Sequence, residues 1–245
     1  MFRTVRALVL REVRYRESDR ILTALSAEDG KITLSAHGAL SRKSRIAAST
    51  QQLTYSEFTV FEKNGRLSVR EGIVKEGFPG LRSDMEKFAL GSYFAEFLEL
   101  FAGENQPEAE LLQLGLNCLY ALSEDLGECE KVKTAFELRL AAIEGYAPLA
   151  ERCPVCGREE IREPVFQPGA GQVVCRACRQ SGMALPLDNG ALAALRHVLA
   201  APPKKILAFS LPEDSRKKLS SASEAWILHC ADRIPASLSF YHSLN

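Results

Sequence analysis

Two Cys-x-x-Cys pairs, Cys153-Pro-Val-Cys156 and Cys175-Arg-Ala-Cys178, constrain this chain more than any other feature. Two residues between cysteines let both sulfurs of a knuckle face one ion, and two knuckles complete a tetrahedron. Residues 157–174 separate the pairs, a spacing found in four-cysteine zinc sites. The opening segment Met1–Arg11 carries Arg3, Arg6 and Arg11 instead of an apolar signal core, and no apolar run nears the roughly 18 residues of a membrane helix. The expected address is therefore the cytoplasm, where paired cysteines favour metal over disulfides. The expectation is one structural Zn2+ on Cys153, Cys156, Cys175 and Cys178. A filled tetrahedron leaves no open position for water, so such an ion holds the fold and hydrolyses nothing.

Cys118, Cys129 and Cys230 stand apart and read as small, partly buried residues. Four thiolates on zinc leave a net negative charge, and Arg152, Arg158, Arg176 and Arg179 lie beside the ligands. They either balance that charge or contact phosphate.

The rest of the chain divides by hydrophobic period. Residues 1–80 repeat with a period of two: Val5, Ala7 and Val9; Ile32, Leu34 and Ala36; Leu67, Val69, Glu71 and Ile73. Asp29-Gly30 and Asn64-Gly65 are hairpin-turn dipeptides. With Arg20–Ser26 and Glu57–Glu62 this gives five short strands, the size of an OB-fold barrel, interrupted by a polar, basic loop over 38–50. After Phe78-Pro79-Gly80 the period becomes helical. Ser83-x-x-Glu86 predicts a capping box before a helix through Phe94, Phe97, Leu98 and Phe101. A second helix is expected from Pro107, and a third ending at Gly145. Two more are expected after the cysteines, the first capped by Asp188 and the last through Leu219 and Trp226. The fold class is α+β and multidomain: an N-terminal OB-fold β-barrel at 1–80 and a helical domain at 81–245, with the zinc module inserted at 151–182.

Total charge is zero, but its distribution is not even. Residues 1–80 carry 14 basic against 9 acidic side chains, and residues 81–150 carry 5 against 13. A basic head and an acidic middle suggest separate surfaces with separate partners. Arg11, Arg14, Arg16 and Arg20 surround Tyr15, and Arg42, Lys43 and Arg45 sit in the loop; of these Arg14, Arg16, Arg20, Arg42, Lys43 and Arg45 are the expected phosphate contacts. Basic loops and an aromatic ring on such a barrel suit single-stranded nucleic acid, and they equally describe a solvated charged face. Pro168-Gly-Ala-Gly171 lacks the residues of a phosphate loop and reads as a turn. His37, His197, His229 and His242 form no spaced cluster, and no motif assembles a nucleophile, a base and an orienting group, so no catalytic residue is expected. Two rival readings are a zinc-containing nuclease and a protein-binding adaptor. Glu17 and Asp19, the carboxylates nearest the basic head, read as surface or turn residues.

Ordered motifs along the chain resemble the RecO family of bacterial DNA repair and recombination mediators. They are Val9-Leu10-Arg11, Glu17-Ser18-Asp19-Arg20-Ile21, Gly30-Lys31-Ile32, the loop Gly38-Ala39-Leu40-Ser41-Arg42-Lys43-Ser44-Arg45, Phe136-Glu-Leu-Arg-Leu140, Gly145-Tyr-Ala-Pro148 and Cys153-Pro-Val-Cys156-Gly157. Leu40 and Ser41 stand where the family loop is often arginine-rich, and Ala7 replaces a frequent glycine. Some family members lack the cysteines, which implies that zinc supports the fold and is not the shared activity. The resemblance implies binding to single- and double-stranded DNA, strand annealing, and partnership with RecR and single-strand-binding protein. It also implies indirect help to RecA and a nucleoid-associated cytoplasmic location without a membrane.

Overall fold

A computed structural model describes residues 1–244. Five strands close into a barrel: β1 (Phe2–Tyr15), β2 (Asp19–Ser26), β3 (Gly30–Ala36), β4 (Tyr55–Lys63) and β5 (Arg66–Glu76). Their order around the barrel is β1-β2-β3-β5-β4, every pair antiparallel except β3 with β5. This is the OB-fold arrangement expected from the sequence. Val5, Ala7, Val9, Ile32, Leu34, Ala36, Leu67 and Val69, alternate positions that the period of two selected, fill the interior together with Leu22, Ala24, Phe58 and Val60. Asn64 and Gly65 both adopt positive φ, as a two-residue hairpin turn requires. Two details depart from the simple alternation. Leu8 and Leu10 are as buried as their inward neighbours, because a helix packs on β1. In β5 a bulge opposite Thr59 and Val60 breaks the register, so Glu71 and Ile73 lie exposed instead of continuing the row of Leu67 and Val69.

Past Glu76 the chain turns helical at the expected place. After a single turn, α1 (Pro79–Arg82), come α2 (Met85–Phe101) and α3 (Ala109–Ser123). The cap of α2 is Asp84, whose carboxylate accepts the Lys87 N–H at 3.1 Å, and not Ser83, whose hydroxyl donates to the Gly80 carbonyl at 3.0 Å. Asp84 is the residue in extended conformation, and that geometry decides which side chain can reach the first free N–H. The second helix starts at Ala109, two residues beyond the expected Pro107.

The chain forms two compact units. One comprises Met1–Glu124 and the segment from Pro235 onward; the other is Asp125–Ile234. The first unit therefore continues past the last barrel strand and takes in α1, α2, α3 and the last helix, α7 (Ala236–His242), which packs on α2. The Glu96 carboxylate accepts hydrogen bonds from the N–H and hydroxyl of Ser237.

The second unit holds α4 (Cys129–Ile143), α5 (Asn189–Ala200) and α6 (Glu213–Ala231), with the cysteine module between α4 and α5. Gly145, at φ +83°, ends α4, and Asp188 caps α5 by accepting the Ala191 N–H at 2.9 Å. The module is built on a small sheet in the order β7-β6-β8: β6 (Pro164–Gln167), β7 (Gln172–Cys175) and β8 (Leu185–Pro186). The turn between β6 and β7 is the Pro168–Gly171 segment. Gly171 sits at positive φ against the Trp226 ring of α6, where a Cβ would collide.

In the core of this unit Lys133 is 2% exposed at its side chain and Glu137 is fully buried. The ammonium lies 2.8 Å from Glu137 and 2.7 Å from Glu224, and the Ser223 hydroxyl donates to Glu137 at 2.6 Å. Burial pushes the Lys133 pKa down, and the two carboxylates more than reverse that, so its net shift is upward.

Candidate functional site

Six of the 14 basic residues of the barrel segment, Arg14, Arg16, Arg20, Arg42, Lys43 and Arg45, belong to the end where β1 turns into β2 and β3 runs into the 37–54 loop. Arg20 pairs with Ala36 across the β2–β3 ladder, so the β1–β2 turn and the start of the loop are neighbours. Three backbone and side-chain links fix them together. The Asp19 carboxylate accepts the Gly38 N–H at 2.8 Å and faces His37 Nδ1 at 2.9 Å, and the Leu40 N–H donates to the Ser18 carbonyl at 2.9 Å. The Gly38 N–H, followed by His37, holds the Asp19 carboxyl below its ordinary pKa. Asp19 itself is buried, a structural latch and not the surface or turn residue expected from the sequence.

The loop carries no regular strand or helix, yet it is anchored. Ala39 and Ile46 enter the barrel core, and the Thr50 hydroxyl donates to the Ile46 carbonyl at 2.9 Å. Arg20 adds a further tie: its guanidinium donates to the Ala47 carbonyl at 3.2 Å and to the Thr50 hydroxyl at 3.0 Å, and pairs with Glu12 at 3.2 Å. Of the six basic residues singled out in the sequence, Arg20 is thus committed to holding the loop. Arg14, Arg16, Arg42, Lys43 and Arg45 are exposed at this end of the barrel. Arg16 lies 5.2 Å over the ring of Tyr15, itself half-exposed, so cation and aromatic face are presented together. Arg11, by contrast, is taken up by Glu99 of α2 in a two-pronged pair with a shortest distance of 2.6 Å. A surface so arranged offers phosphates several cations on a loop that needs little ordering on contact.

The second candidate is the cysteine module. The sulfurs of Cys153, Cys156, Cys175 and Cys178 all lie within 4.8 Å of one another, with Cys156 and Cys175 at 3.9 Å. Sulfurs at about 2.3 Å from one central ion would stand about 3.8 Å apart at tetrahedral angles, so the four residues fit a single metal ion. Backbone turns aim them. The Gly157 N–H donates to the Cys153 carbonyl and the Cys153 N–H to the Arg158 carbonyl, both at 2.8 Å, closing the first knuckle. Cys175 ends β7, and a short 3-10 turn over Arg176–Cys178 forms the second. Four thiols this close cannot ionise independently. Burial pushes the Cys153 thiol up, but N–H groups of Cys175, Cys156 and Val155 outweigh that and lower it to about 6. Cys178 is pushed up to about 12, first by its hydrogen bond with Cys156. A dication would collect all four as thiolates.

Arg152, Arg158, Arg176 and Arg179 are exposed around this cluster. Arg152 faces Glu159 at 3.7 Å and Arg176 faces Glu163 at 3.9 Å, loose surface pairs that leave the guanidinium groups in solvent. Cys118 is buried, while Cys129 and Cys230 are partly so, and none of the three joins the cluster. No helix among the described residues is long and apolar enough to cross a membrane.

Sequence reasoning missed Asp19 and His37 because their role depends on partners about 20 residues away across β2 and β3. The pattern of a single chain carries no periodic signal for such a latch.

Comparison with known proteins covers almost the whole chain. The family described as Recombination protein O N terminal matches residues 1–78, and Recombination protein O C terminal matches residues 82–238. A protein of Acetivibrio thermocellus named DNA repair protein RecO is 31% identical over 239 residues, 97% of this chain and 95% of its own. Its namesake in Desulforudis audaxviator is 31% identical over 241 residues, 98% of this chain and 96% of its own. One in Pelotomaculum thermopropionicum is likewise 31% identical, over 96% of this chain and 91% of its own.

Proposed function

The chain belongs to the RecO family of DNA repair proteins, and from that membership we propose that it is a recombination mediator that works by binding and not by catalysis. It binds single- and double-stranded DNA, anneals complementary strands and, with RecR, assists RecA onto DNA coated by single-strand-binding protein, in the cytoplasm at the nucleoid. Arg14, Arg16, Arg42, Lys43 and Arg45 supply the phosphate contacts, and Arg20 holds their loop. Zn2+ is the ion of Cys153, Cys156, Cys175 and Cys178, since an all-thiolate tetrahedron suits it, and its role is to hold β6 and β7 in register.

The observation that carries this reading is the latched basic end of the barrel, where five exposed cations and the Tyr15 ring share one surface. Two polyanionic strands repel each other, and a basic surface that holds both lowers the cost of encounter and raises effective concentration. The test is pairing of complementary labelled strands, bare and coated with single-strand-binding protein, in the absence of nucleotide. Faster pairing than buffer on both substrates supports the reading. A requirement for ATP, cleavage of the strands, or no acceleration on either substrate would overturn it.

A further inference from the structure

A second basic surface lies elsewhere on the barrel, on the outer face of the β4–β5 hairpin. Its cations are Lys63, Arg66 and Arg70, all exposed, and none has an acidic partner within 4 Å among the described residues. They line a groove of about 680 Å3 with Phe61, Asn64 and Ser68. The alternation of these strands explains the arrangement. Phe58, Val60, Leu67 and Val69 point into the core, which turns Phe61 and Ser68 outward.

Arg70 owes its position to the β5 bulge. Val60 pairs with Val69 and Thr59 with Glu71, leaving Arg70 as the extra residue. Bulges re-aim side chains in this way, and here the guanidinium comes to lie 5.5 Å over the Phe61 ring. Phe2, paired with Phe61 across β1 and β4, adds a second ring at 5.1 Å and is itself well exposed. This face joins the exposed Phe2 ring, the half-buried Phe61 ring, a stacked guanidinium and two further free cations.

Phe2 opens the 14-residue β1, whereas Arg14 and Tyr15 close it. Thirteen steps of roughly 3.3 Å each separate the two surfaces along the strand. A single phosphate contact zone does not span them without a strand of several nucleotides between.

We propose that the Phe2, Phe61, Lys63, Arg66 and Arg70 face is a second binding site for single-stranded nucleic acid, so that the barrel holds two strands at once. The inference rests on the proposed DNA-binding function and adds to it where the second strand lies. Bases stack on the Phe2–Phe61 pair and the Arg70 plane, while Lys63 and Arg66 meet phosphates. An acidic peptide would satisfy the cations but leave the rings without a partner. Duplex DNA would do the same, because its bases are already stacked. Only an unpaired strand uses both features.

The test titrates the full chain with an oligothymidylate of about eight nucleotides, short enough to occupy one site. The parent should bind two per chain, and the Arg42/Lys43/Arg45 triple alanine variant one. In that triple-variant background Phe61→Leu should weaken the remaining site at least about fivefold, as loss of a stacked base does, while Phe61→Tyr, which keeps the ring, should not. The exposed pair Lys63→Ala and Arg66→Ala should flatten the log–log salt dependence by about 1.4, or 0.7 for each lost contact on a single strand. One oligonucleotide per parent chain, or equal loss in Phe61→Leu and Phe61→Tyr, would overturn the proposal. So would face variants that lose a polyglutamate peptide while keeping oligothymidylate. A parent chain that binds no oligonucleotide at all overturns the DNA-binding reading itself, a failure distinct from that of the second site.

Discussion

The carboxylate of Asp19, at the start of β2, accepts the backbone N–H of Gly38, 19 residues later, at 2.8 Å. That bond, with His37 alongside, ties the basic 37–54 loop to the β1–β2 turn and lets cations from both segments share a surface. Asp19→Ala should release the loop. Amide hydrogen exchange at Gly38 and Leu40 should rise while the barrel strands keep their protection, and DNA affinity should fall several-fold. Unchanged exchange at Gly38 would show that the latch does not hold the loop.

The same latch has a defined pH response. Because the Asp19 pKa is lowered in the folded chain, its stabilising effect is complete above the ordinary carboxylate value of 3.8 and is lost as pH falls through the folded value below that. Exchange at Gly38, corrected for its intrinsic pH dependence, should therefore stay flat from neutral pH down to about pH 5 and rise only in stronger acid. A rise between pH 7 and 6 would assign the tie to another group.

The one tryptophan of the chain lies close enough to the four-cysteine cluster to report on an ion held there. Trp226 is 8% exposed, its ring edge-on to Phe166 of β6 at 6.2 Å, and its indole N–H donates to the Tyr146 carbonyl at 2.9 Å. Pro164 of β6 pairs with the ligand Cys175 on β7, so loss of the ion should loosen the hairpin beneath the indole. Chelation, or Cys175→Ser, should shift Trp226 emission to the red and leave the barrel folded. Metal removal, checked by elemental analysis, with unchanged emission would contradict this coupling.

Lys133 tests the core of the second unit. Removing one partner of a buried ion pair strands the other, so Lys133→Ala should cost about 3–5 kcal/mol of stability in urea unfolding. The raised Lys133 pKa means that this contribution is full below its ordinary value of 10.5 and is lost only as pH rises through the still higher folded value. The loss should therefore be the same at pH 6 and pH 8. A cost below about 1 kcal/mol would place the ammonium in water.

Which of these features the sequence disclosed follows from the range of the contacts involved. Val5, Val9, Ile32 and Leu34 announced the barrel because a strand's alternation is local, and Cys153 and Cys156 announced a cluster that could hold a metal because a knuckle spans four residues. Leu8 and Leu10 obscured the β1 pattern because α2 covers its outer side. Arg11 and Arg20 looked like their neighbours, and only tertiary partners, Glu99 for Arg11 and Glu12 and the Ala47 carbonyl for Arg20, show that they are engaged within the chain. Ser83 carried the capping-box pattern, but the extended backbone falls at Asp84, so the cap is one residue later than the pattern placed it. The return of α7 to α2 had no signature, since a seven-residue helix takes its place from tertiary packing.

The latched end of the barrel is proposed to hold DNA by its phosphates. The most direct test is the affinity of the full chain for a labelled strand across a salt series, compared with the Arg42→Ala, Lys43→Ala, Arg45→Ala variant. Each phosphate contact releases counterions and steepens the dependence by roughly 0.7 to 0.9 in the log–log slope. Steep weakening with salt is expected for the parent and a slope flatter by about 2 for the variant, with the same melting temperature. A variant with parental affinity and slope would make this loop a solvated face and rule out phosphate binding through it.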